Sequence, residues 1–281
     1  MTAAEALREA AQRLTAAGIE GGLRDAKVLL AHAMGIATDR LTLHLPEALS
    51  PAADAAFQTA LQARLARQPV AQITGRRLFW GRSFQVSRDT LDPRPETEIL
   101  VQAALTQPFV KVLDLGTGTG CILLSLLADR PMAQGVGLDI SEAALAVARA
   151  NAQDLGLSQR AQFVTSNWFA QAQGRFDLIV SNPPYIAADE MSQLSPEVRD
   201  WEPEIALTPG GDGLEAYRQI ARGAGARLLP GGRILLEIGP IQAQDVSKLL
   251  QAQGFTQIQV LPDFDGRDRV VSAQKPVGDH G

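Results

Sequence analysis

The sequence predicts an α/β fold in which helices cover both faces of a mainly parallel sheet, with a small all-helical segment in front. Candidate strands and helices alternate from about residue 110 onward, which is typical of parallel sheets. A glycine-rich loop follows the first of those strands. The first 70 residues are rich in alanine and carry apolar residues at helical spacing.

Residues 1–70 are predicted to form three short helices that make a small bundle. The second helix is expected to start near Asp25 and to stop at Gly35. Ser50 is a suitable N-cap for the third, with Pro51 at the first helical position. The apolar residues expected to face inward are Leu7, Leu14, Phe57, Leu61 and Leu65.

Residues 71–91 are predicted to form a β-hairpin that links the helical domain to a second domain over residues 92–275. Phe79-Trp80 and Phe84-Gln85-Val86 flank Gly81-Arg82-Ser83 as the expected turn. The stretch Pro93 to Glu98 then leads into a helix, since its acidic residues suit a helix N-terminus. At the other end of the chain, Gln274 to Gly281 is predicted to be a loose tail.

The second domain carries the strands of the predicted sheet. The last two strands leave no room for a helix between them, so they should pair antiparallel. The candidate strands are Lys111–Leu115, Val136–Asp139, Gln162–Thr165, Phe176–Ser181, Arg233–Ile238, Gln257–Leu261 and Arg269–Ala273. The candidate helices are 120–129, 142–155, 214–228 and 242–252.

Composition narrows the classes of function. The chain has 281 residues, a net charge of −5 and a single cysteine. It therefore has no global electrostatic attraction for nucleic acid and no internal disulfide. The N-terminus lacks a signal-peptide pattern, and the longest aliphatic stretch is too short to span a bilayer. Paired Cys or His residues at metal-binding spacing are absent from the sequence. We expect a cytoplasmic protein that needs neither a metal nor a membrane.

A loop of Gly116, Thr117, Gly118, Thr119 and Gly120 lies where the first strand of the sheet passes into a helix. Ligands bind at this edge in open α/β sheets, and glycines let the backbone approach a ligand closely. A dinucleotide fingerprint would have glycine at the sixth position, where this chain has Cys121. Asp114 opposes a pyrophosphate but suits a cationic amino group. The loop therefore favours S-adenosylmethionine over a nicotinamide cofactor.

Three further residues are expected to contact that cofactor. Asp139 ends the second strand, where a carboxylate accepts hydrogen bonds from ribose hydroxyls. Ser141 is better placed than Asp139 to cap the next helix. Asn167 and Trp168 follow the third strand, where an amide can bond an adenine edge and an indole offers a packing face. Ordinary core or loop roles remain the alternatives for these two residues.

The tetrad Asn182-Pro183-Pro184-Tyr185 closes the fourth strand and is the candidate catalytic and substrate-binding element. Pro183 forces Asn182 into an extended conformation. The Asn182 side-chain oxygen and the Pro183 carbonyl can then accept both hydrogens of an NH₂ group, while Tyr185 packs on its plane. A planar nitrogen needs alignment with the methyl donor and gains positive charge as it attacks. Strand termination by the two prolines is the structural alternative.

Taken together, these motifs resemble the release-factor glutamine methyltransferases of the HemK type over nearly the whole chain. The stretches that match are Pro69 to Gly75, Phe79 to Gly81, Pro93 to Glu98, Asp114 to Cys121, Asn182 to Tyr185 and Trp201 to Pro203. Asp92, Asn167 and Trp201 depart from the family pattern. The resemblance implies a Rossmann-like class I methyltransferase domain and a helical N-terminal domain that docks the substrate. It also implies methylation of the glutamine amide in the Gly-Gly-Gln loop of peptide chain release factors.

The sequence is also compatible with other functions. A sister family acts on a glutamine of a ribosomal protein, and adenine-N6 methyltransferases of nucleic acids carry a similar tetrad. A basic linker favours a nucleic-acid substrate, whereas the net charge of the chain opposes it. The basic residues of the linker are Arg76, Arg77, Arg82, Arg88 and Arg94. A non-catalytic binding module is disfavoured because the tetrad and the glycine loop are both intact.

Overall fold

The computed structural model describes residues 1–277. The chain divides into two compact units, of which one comprises Met1–Arg76 and Ser195–Trp201. The other comprises Arg77–Leu194 and the chain from Glu202 onward. The domain boundaries predicted near residues 70 and 91 stay predictions. Within the predicted tail, Gln274 is the last residue of a strand, and residues 278–281 lie outside the described residues.

The first unit is helical. Its elements are α1 Ala3–Ala16, α2 Gly22–Met34, a 3₁₀ turn Thr38–Arg40, α3 Leu41–His44, α4 Pro51–Leu65 and α5 Val70–Thr74. The backbone N–H of Ala53 donates to the Ser50 hydroxyl oxygen at 3.2 Å, so the predicted cap of α4 is confirmed. The second helix begins three residues before Asp25 because Gly21, in the left-handed conformation, already starts it.

Apolar side chains and one buried ion pair hold this unit together. Leu7, Leu14, Phe57 and Leu61 are buried, as predicted, whereas Leu65 packs at the edge of their cluster. Three charged contacts join the elements: Arg64 Nε to Asp25 Oδ2 at 2.8 Å, Arg64 Nη1 to Glu197 Oε1 at 3.1 Å, and Arg67 Nη1 to Glu197 Oε1 at 3.2 Å. Glu197 lies in the short helix Pro196–Arg199. These arginines therefore attach a segment distant in sequence to the helical unit.

The predicted hairpin forms, but its turn is shifted. Strands β1 Arg76–Phe79 and β2 Arg82–Gln85 pair in a two-stranded sheet. The turn is Trp80-Gly81 rather than Gly81-Arg82-Ser83, and both residues have positive φ, 48° and 69°. A two-residue turn with two positive φ angles matches the twist of antiparallel strands.

The second unit contains the predicted sheet. Its strands are β3 Lys111–Leu115, β4 Gln134–Asp139, β5 Ala161–Thr165, β6 Phe176–Ser181, β7 Leu228–Glu237, β8 Thr256–Pro262 and β9 Asp268–Gln274. Within residues 1–277 they form a seven-stranded sheet in the order β5-β4-β3-β6-β7-β9-β8. The first five in that order run parallel. Strand β9 is antiparallel to both of its neighbours, which confirms the predicted antiparallel pair.

Helices cover both faces of this sheet, as the sequence predicts. The long ones are α6 Glu98–Leu105, α7 Cys121–Asp129, α8 Glu142–Asp154, α11 Glu215–Arg227 and α12 Ala243–Ala252. Val112 packs with apolar residues of α6, α7 and α8, whereas the next residue, Leu113, packs with those of α11 and α12. Because successive strand residues point to opposite faces, the two clusters are the two sides of the sheet. The predicted α/β class is confirmed.

Several short elements of the structure are not among those predicted from the sequence. They are the 3₁₀ turns Pro95–Thr97 and Met191–Gln193, α9 Pro196–Arg199 and α10 Glu204–Leu207. Each is four residues or shorter, which is too short to show an apolar period.

Two glycines of α11 provide a matched test of this packing. A Cβ at position 223 would lie 2.3 Å from the Phe169 ring, whereas a Cβ at position 225 would meet no heavy atom within 4 Å. Gly225→Ala should raise the free energy of unfolding by about 0.5–1 kcal/mol, because alanine is the better helix former. Gly223→Ala should lower it by about 1 kcal/mol, since overpacking outweighs the same gain. Urea unfolding midpoints measure both; equal shifts in the two variants would contradict the packing of Phe169 on α11.

Candidate active site

The glycine-rich loop joins the end of β3 to the start of α7. Gly116 and Gly118 have φ of 66° and 53°, and no heavy atom lies within 4 Å of where a Cβ would stand. The left-handed conformation favours glycine here, and the open space leaves the loop backbone accessible to a ligand. Gly120 instead precedes α7, where a Cβ would lie 3.1 Å from Leu124.

Asp139, at the end of β4, holds the loop through its carboxylate. Its Oδ2 accepts a hydrogen bond from the Gly118 N–H at 2.9 Å and its Oδ1 accepts one from the Ser141 N–H at 3.0 Å. Burial raises the pKa of Asp139, and these backbone hydrogen bonds act in the opposite direction. The N-cap of α8 is Ser141, whose hydroxyl oxygen accepts from the Ala144 N–H. Ser141 rather than Asp139 thus caps α8, and Asp139 lies on the cavity wall.

Asp114 lies beneath the glycine-rich loop. Its side chain is fully buried and is not part of the cavity wall. The Thr117 hydroxyl donates to its Oδ2 at 2.7 Å, and burial raises its pKa to about 7. The carboxylate thus supports the loop from beneath, and its suitability for a cationic amino group stays a prediction.

The loop after β5 places Asn167 and Trp168 on the same cavity. Trp168 has a φ of 46°, which is uncommon for a bulky residue and marks local strain. The Ser166 hydroxyl donates to the Trp168 carbonyl at 2.8 Å and accepts from the Gln171 N–H at 3.0 Å. Ser166 therefore holds the strained turn that presents the indole.

Asn182 follows β6 directly and faces the beginning of α6. Its Nδ2 donates to the Thr97 hydroxyl oxygen at 3.3 Å. Because the amide nitrogen is turned toward Thr97, the amide oxygen is turned away from it. The preceding Ser181 hydroxyl donates to the Leu115 carbonyl at 2.6 Å, which fixes the end of β6 against the end of β3. No sequence spacing indicates Thr97, which lies 85 residues before Asn182.

One cavity of about 360 Å³ brings most of the predicted site residues together. Those on its wall are Gly116, Thr117, Gly118, Thr119, Asp139, Asn167, Trp168, Asn182 and Pro184. Gly120, Pro183 and Tyr185 are not on the wall. Tyr185 packs instead against the apolar cluster under α11 and α12, and its burial raises the pKa of its hydroxyl. The roles of all these residues remain predictions.

Further residues on the cavity wall belong to, or directly precede, the family-matching stretches Pro93 to Glu98 and Trp201 to Pro203. They are Asp92, Pro93, Arg94, Thr97 and Pro203. Arg94 Nη2 lies 2.7 Å from both carboxylate oxygens of Glu202. Burial raises the pKa of Glu202 to about 7, and Arg94 acts in the opposite direction.

The basic linker presents less free charge than its sequence indicates. Arg77 donates to the Pro93 carbonyl, Arg82 pairs with Asp129, and Arg94 pairs with Glu202. These arginines are therefore engaged within the protein, which weakens the nucleic-acid reading. Among residues 1–277 there is no group of three or more His, Cys, Asp or Glu side chains placed to hold a metal ion. Over the same residues, none of the helices has the length and apolar character that crossing a membrane requires.

Comparison with known proteins finds a family model in each of the two units of the chain. Residues 5–75 match the model of the PrmC N-terminal domain and residues 83–197 match that of the methyltransferase small domain. The release factor glutamine methyltransferase of Cereibacter sphaeroides is 63% identical over 98% of this chain and 99% of that protein. The protein of the same name from Rhodospirillum rubrum is 43% identical over 96% of this chain and 84% of its own.

A solved structure supports the fold alone. The crystal structure of a methyltransferase from Pyrococcus furiosus superposes with a TM-score of 0.54 at 18% identity, over 78% of this chain and 98% of that one. The Rossmann-like methyltransferase fold is thus shared at low sequence similarity.

Asp139→Ala tests the cofactor side of the cavity. Loss of a charged acceptor that also binds the loop should weaken S-adenosylmethionine binding by roughly 30-fold or more, which corresponds to about 2 kcal/mol. Calorimetric titration measures the affinity. Asp39→Ala, an exposed aspartate of the helical unit, is the matched control and should bind as the wild type does. Unchanged affinity in Asp139→Ala would remove Asp139 from the cofactor site.

Proposed function

The chain belongs to the family of release factor glutamine methyltransferases, and on that basis we propose that it methylates peptide chain release factors. The methyl group comes from S-adenosylmethionine, the cofactor of this enzyme class. The acceptor is the side-chain amide nitrogen, N5, of the glutamine in the Gly-Gly-Gln motif. The observation that carries the proposal is the placement of Asn182 on one cavity with the glycine loop and Asp139.

The residues of the cavity fit this cofactor. S-adenosylmethionine supplies a methyl group on a positively charged sulfur together with a ribose and an adenine. Asp139 offers carboxylate oxygens suited to ribose hydroxyls, and Trp168 offers an apolar face. The backbone at Gly116 and Gly118 carries no side chain that would block a close approach. A pyrophosphate fits this wall less well, because the loop N–H of Gly118 is already bound to Asp139.

The tetrad suits a planar amide nitrogen. The Asn182 side chain is on the cavity wall, and its oxygen is one acceptor for an NH₂ group. The carbonyl of Pro183, the next residue, is the proposed second acceptor, although Pro183 itself is not on that wall. Carbonyl dipoles fixed in advance stabilise the positive charge that the nitrogen gains on attack. A strong general base is not needed, because an N-methylated amide that carries an extra proton loses it readily. His32 and His44 belong to the helical unit, and His280 lies outside the described residues.

A glutamine accounts for the surroundings of the tetrad better than an adenine. A flipped base comes with a polyanion, whose binding depends on arginine and lysine contacts to phosphate. The net charge is −5, and Arg77, Arg82 and Arg94 already have protein partners. A loop led by two glycines lets an unbranched side chain reach deep into a narrow slot. These points favour a protein substrate over nucleic acid.

The helical unit is proposed to dock the release factor. Residues 1–70 carry none of the proposed cofactor residues, so recognition is the simplest role for them. We also propose that the protein acts in the cytoplasm, which fits a reaction on a translation factor. A ribosomal-protein glutamine is the alternative substrate, and the same labelling experiment separates the two.

Asn182→Ala should lower turnover by about 10²-fold or more, the usual scale for one preorganised polar contact at a transition state. S-adenosylmethionine affinity should change far less, since Asp139 and the glycine loop are untouched. Steady-state kinetics at saturating release factor and calorimetry give the two values. Near-normal turnover would mean that the tetrad is structural.

The substrate is tested by transfer of labelled methyl groups from S-adenosylmethionine. We expect one methyl group per release factor, and none on the same factor with the Gly-Gly-Gln glutamine replaced. A ribosomal protein and adenine-containing duplexes are tested in parallel. Equal labelling of the replaced factor, or labelling of either alternative substrate instead, would contradict the proposed specificity.

A further inference from the structure

Asn182 has two chemically different ends, and only one of them can serve an NH₂ substrate. Its oxygen accepts hydrogen bonds, whereas its nitrogen donates them. A rotation of the amide by 180° exchanges the two ends with almost no change in shape. Something in the protein must therefore select one orientation if the site is to be ready before substrate binds.

Thr97 is the group that contacts the amide nitrogen. Its hydroxyl oxygen lies 3.3 Å from Asn182 Nδ2, and its side chain is buried, with 2% exposure. Thr97 is the residue before α6, yet its hydroxyl does not cap that helix. A hydroxyl has one proton to donate and two lone pairs that accept. Used as an acceptor, Thr97 binds the NH₂ end of Asn182; used as a donor, it would bind the oxygen end instead.

Glu237 is a buried carboxyl next to this pair. It ends β7, beside β6, and the last paired residues of the two strands are Ser181 and Leu236. Glu237 thus occupies the position next to Asn182 across the two strands. Its carboxyl is buried, and its Oε2 has no hydrogen-bond partner among the described residues. The neighbouring Thr97 side chain lowers the pKa of Glu237. A buried carboxyl is costly without donors, and the Thr97 hydroxyl is a donor available to it.

The charges around Glu237 agree with this arrangement. Burial raises the pKa of Glu237 to about 7, whereas the hydrogen bond from Thr97 and the charges of Arg269 and Arg94 act in the opposite direction, and Glu96 adds to the rise. Arg269 is itself paired with Asp263 at 3.1 Å. A Thr97 proton directed at Glu237 leaves the lone pairs of the hydroxyl oxygen for Asn182 Nδ2, which lies 3.3 Å away.

We propose that Thr97 and Glu237 are positioning residues that fix the Asn182 amide with its oxygen toward the substrate nitrogen. The chain of contacts runs from the Asn182 NH₂ to the Thr97 oxygen, and from the Thr97 hydroxyl to the Glu237 carboxyl. Neither residue has to touch the reacting atoms. This inference rests on the proposed function, because it concerns the glutamine-binding end of the same cavity.

The direct test compares Thr97→Val with Thr97→Ser in the full-length enzyme on whole release factor. Valine has the shape of threonine without the hydroxyl, and kcat should fall about 10-fold, the scale of one lost hydrogen bond. KM for release factor and S-adenosylmethionine affinity should change by less than about 3-fold. Serine keeps the hydroxyl and should return kcat to within about 3-fold of the wild type. Thr97→Ala is the second hydroxyl-free variant if valine prevents folding.

Thr106→Val is the matched control. Thr97 precedes α6, whereas Thr106 follows it at the opposite end. The Thr106 hydroxyl donates to the Ala103 carbonyl at 2.7 Å. Thr106→Val should leave kcat unchanged. A double variant separates positioning from a general loss of structure: Asn182→Ala with Thr97→Val should be no slower than Asn182→Ala alone, within about 2-fold. A further 10-fold loss in the double variant would mean that Thr97 does not act through Asn182.

Glu237 is tested in the same assay. Glu237→Gln keeps an acceptor oxygen for the Thr97 hydroxyl and should retain kcat within about 3-fold, whereas Glu237→Ala keeps none and should lose about 10-fold. If the wild-type enzyme labels release factor and both Thr97→Val and Glu237→Ala are as active as the wild type, the positioning role is overturned. The proposed function then still stands. Wild-type enzyme that does not label release factor would overturn both.

Discussion

The shared direction of the parallel strands is the constraint on which the candidate site depends. Because β3, β4, β5 and β6 run parallel side by side, their carboxyl ends meet at one edge of the sheet. Residues that are far apart in sequence thereby reach one cavity: Gly118 after β3, Asp139 at the end of β4, Trp168 after β5 and Asn182 after β6. The hydrogen bonds from Gly118 to Asp139 and from Ser181 to Leu115 then join neighbouring strand ends.

The sheet could be predicted from the sequence with good accuracy, and for a physical reason. Strands Lys111–Leu115 and Phe176–Ser181 were predicted with the bounds that the structure has, since buried parallel strands are short apolar runs between polar or glycine residues. The hairpin turn was displaced because Trp80 adopts a positive φ, which a bulky residue rarely does. The short helices around residues 196–207 show no period that a sequence could reveal.

The candidate site was predictable where its residues form local motifs or directly follow a predicted strand. The glycine loop and the tetrad are each an unbroken run of residues, so the sequence alone indicates their chemistry. Arg94, Thr97 and Glu202 lie in stretches that match the family, but their contacts are not predictable from the sequence because they join residues 85 and 108 positions apart. Asp114 is a related case, since spacing does not show that its carboxylate accepts a hydrogen bond from the Thr117 hydroxyl beneath the loop.

The central claim is that the amide oxygen of Asn182 receives the substrate nitrogen beside the cofactor, while Thr97 binds the amide nitrogen of Asn182. The most direct measurement is a crystal structure of the enzyme with S-adenosylhomocysteine and a peptide that contains Gly-Gly-Gln. The account predicts the glutamine amide nitrogen within about 3 Å of both Asn182 Oδ1 and the Pro183 carbonyl oxygen, with Asn182 Nδ2 still on Thr97. A glutamine bound elsewhere, or bound to the nitrogen end of Asn182, would contradict it.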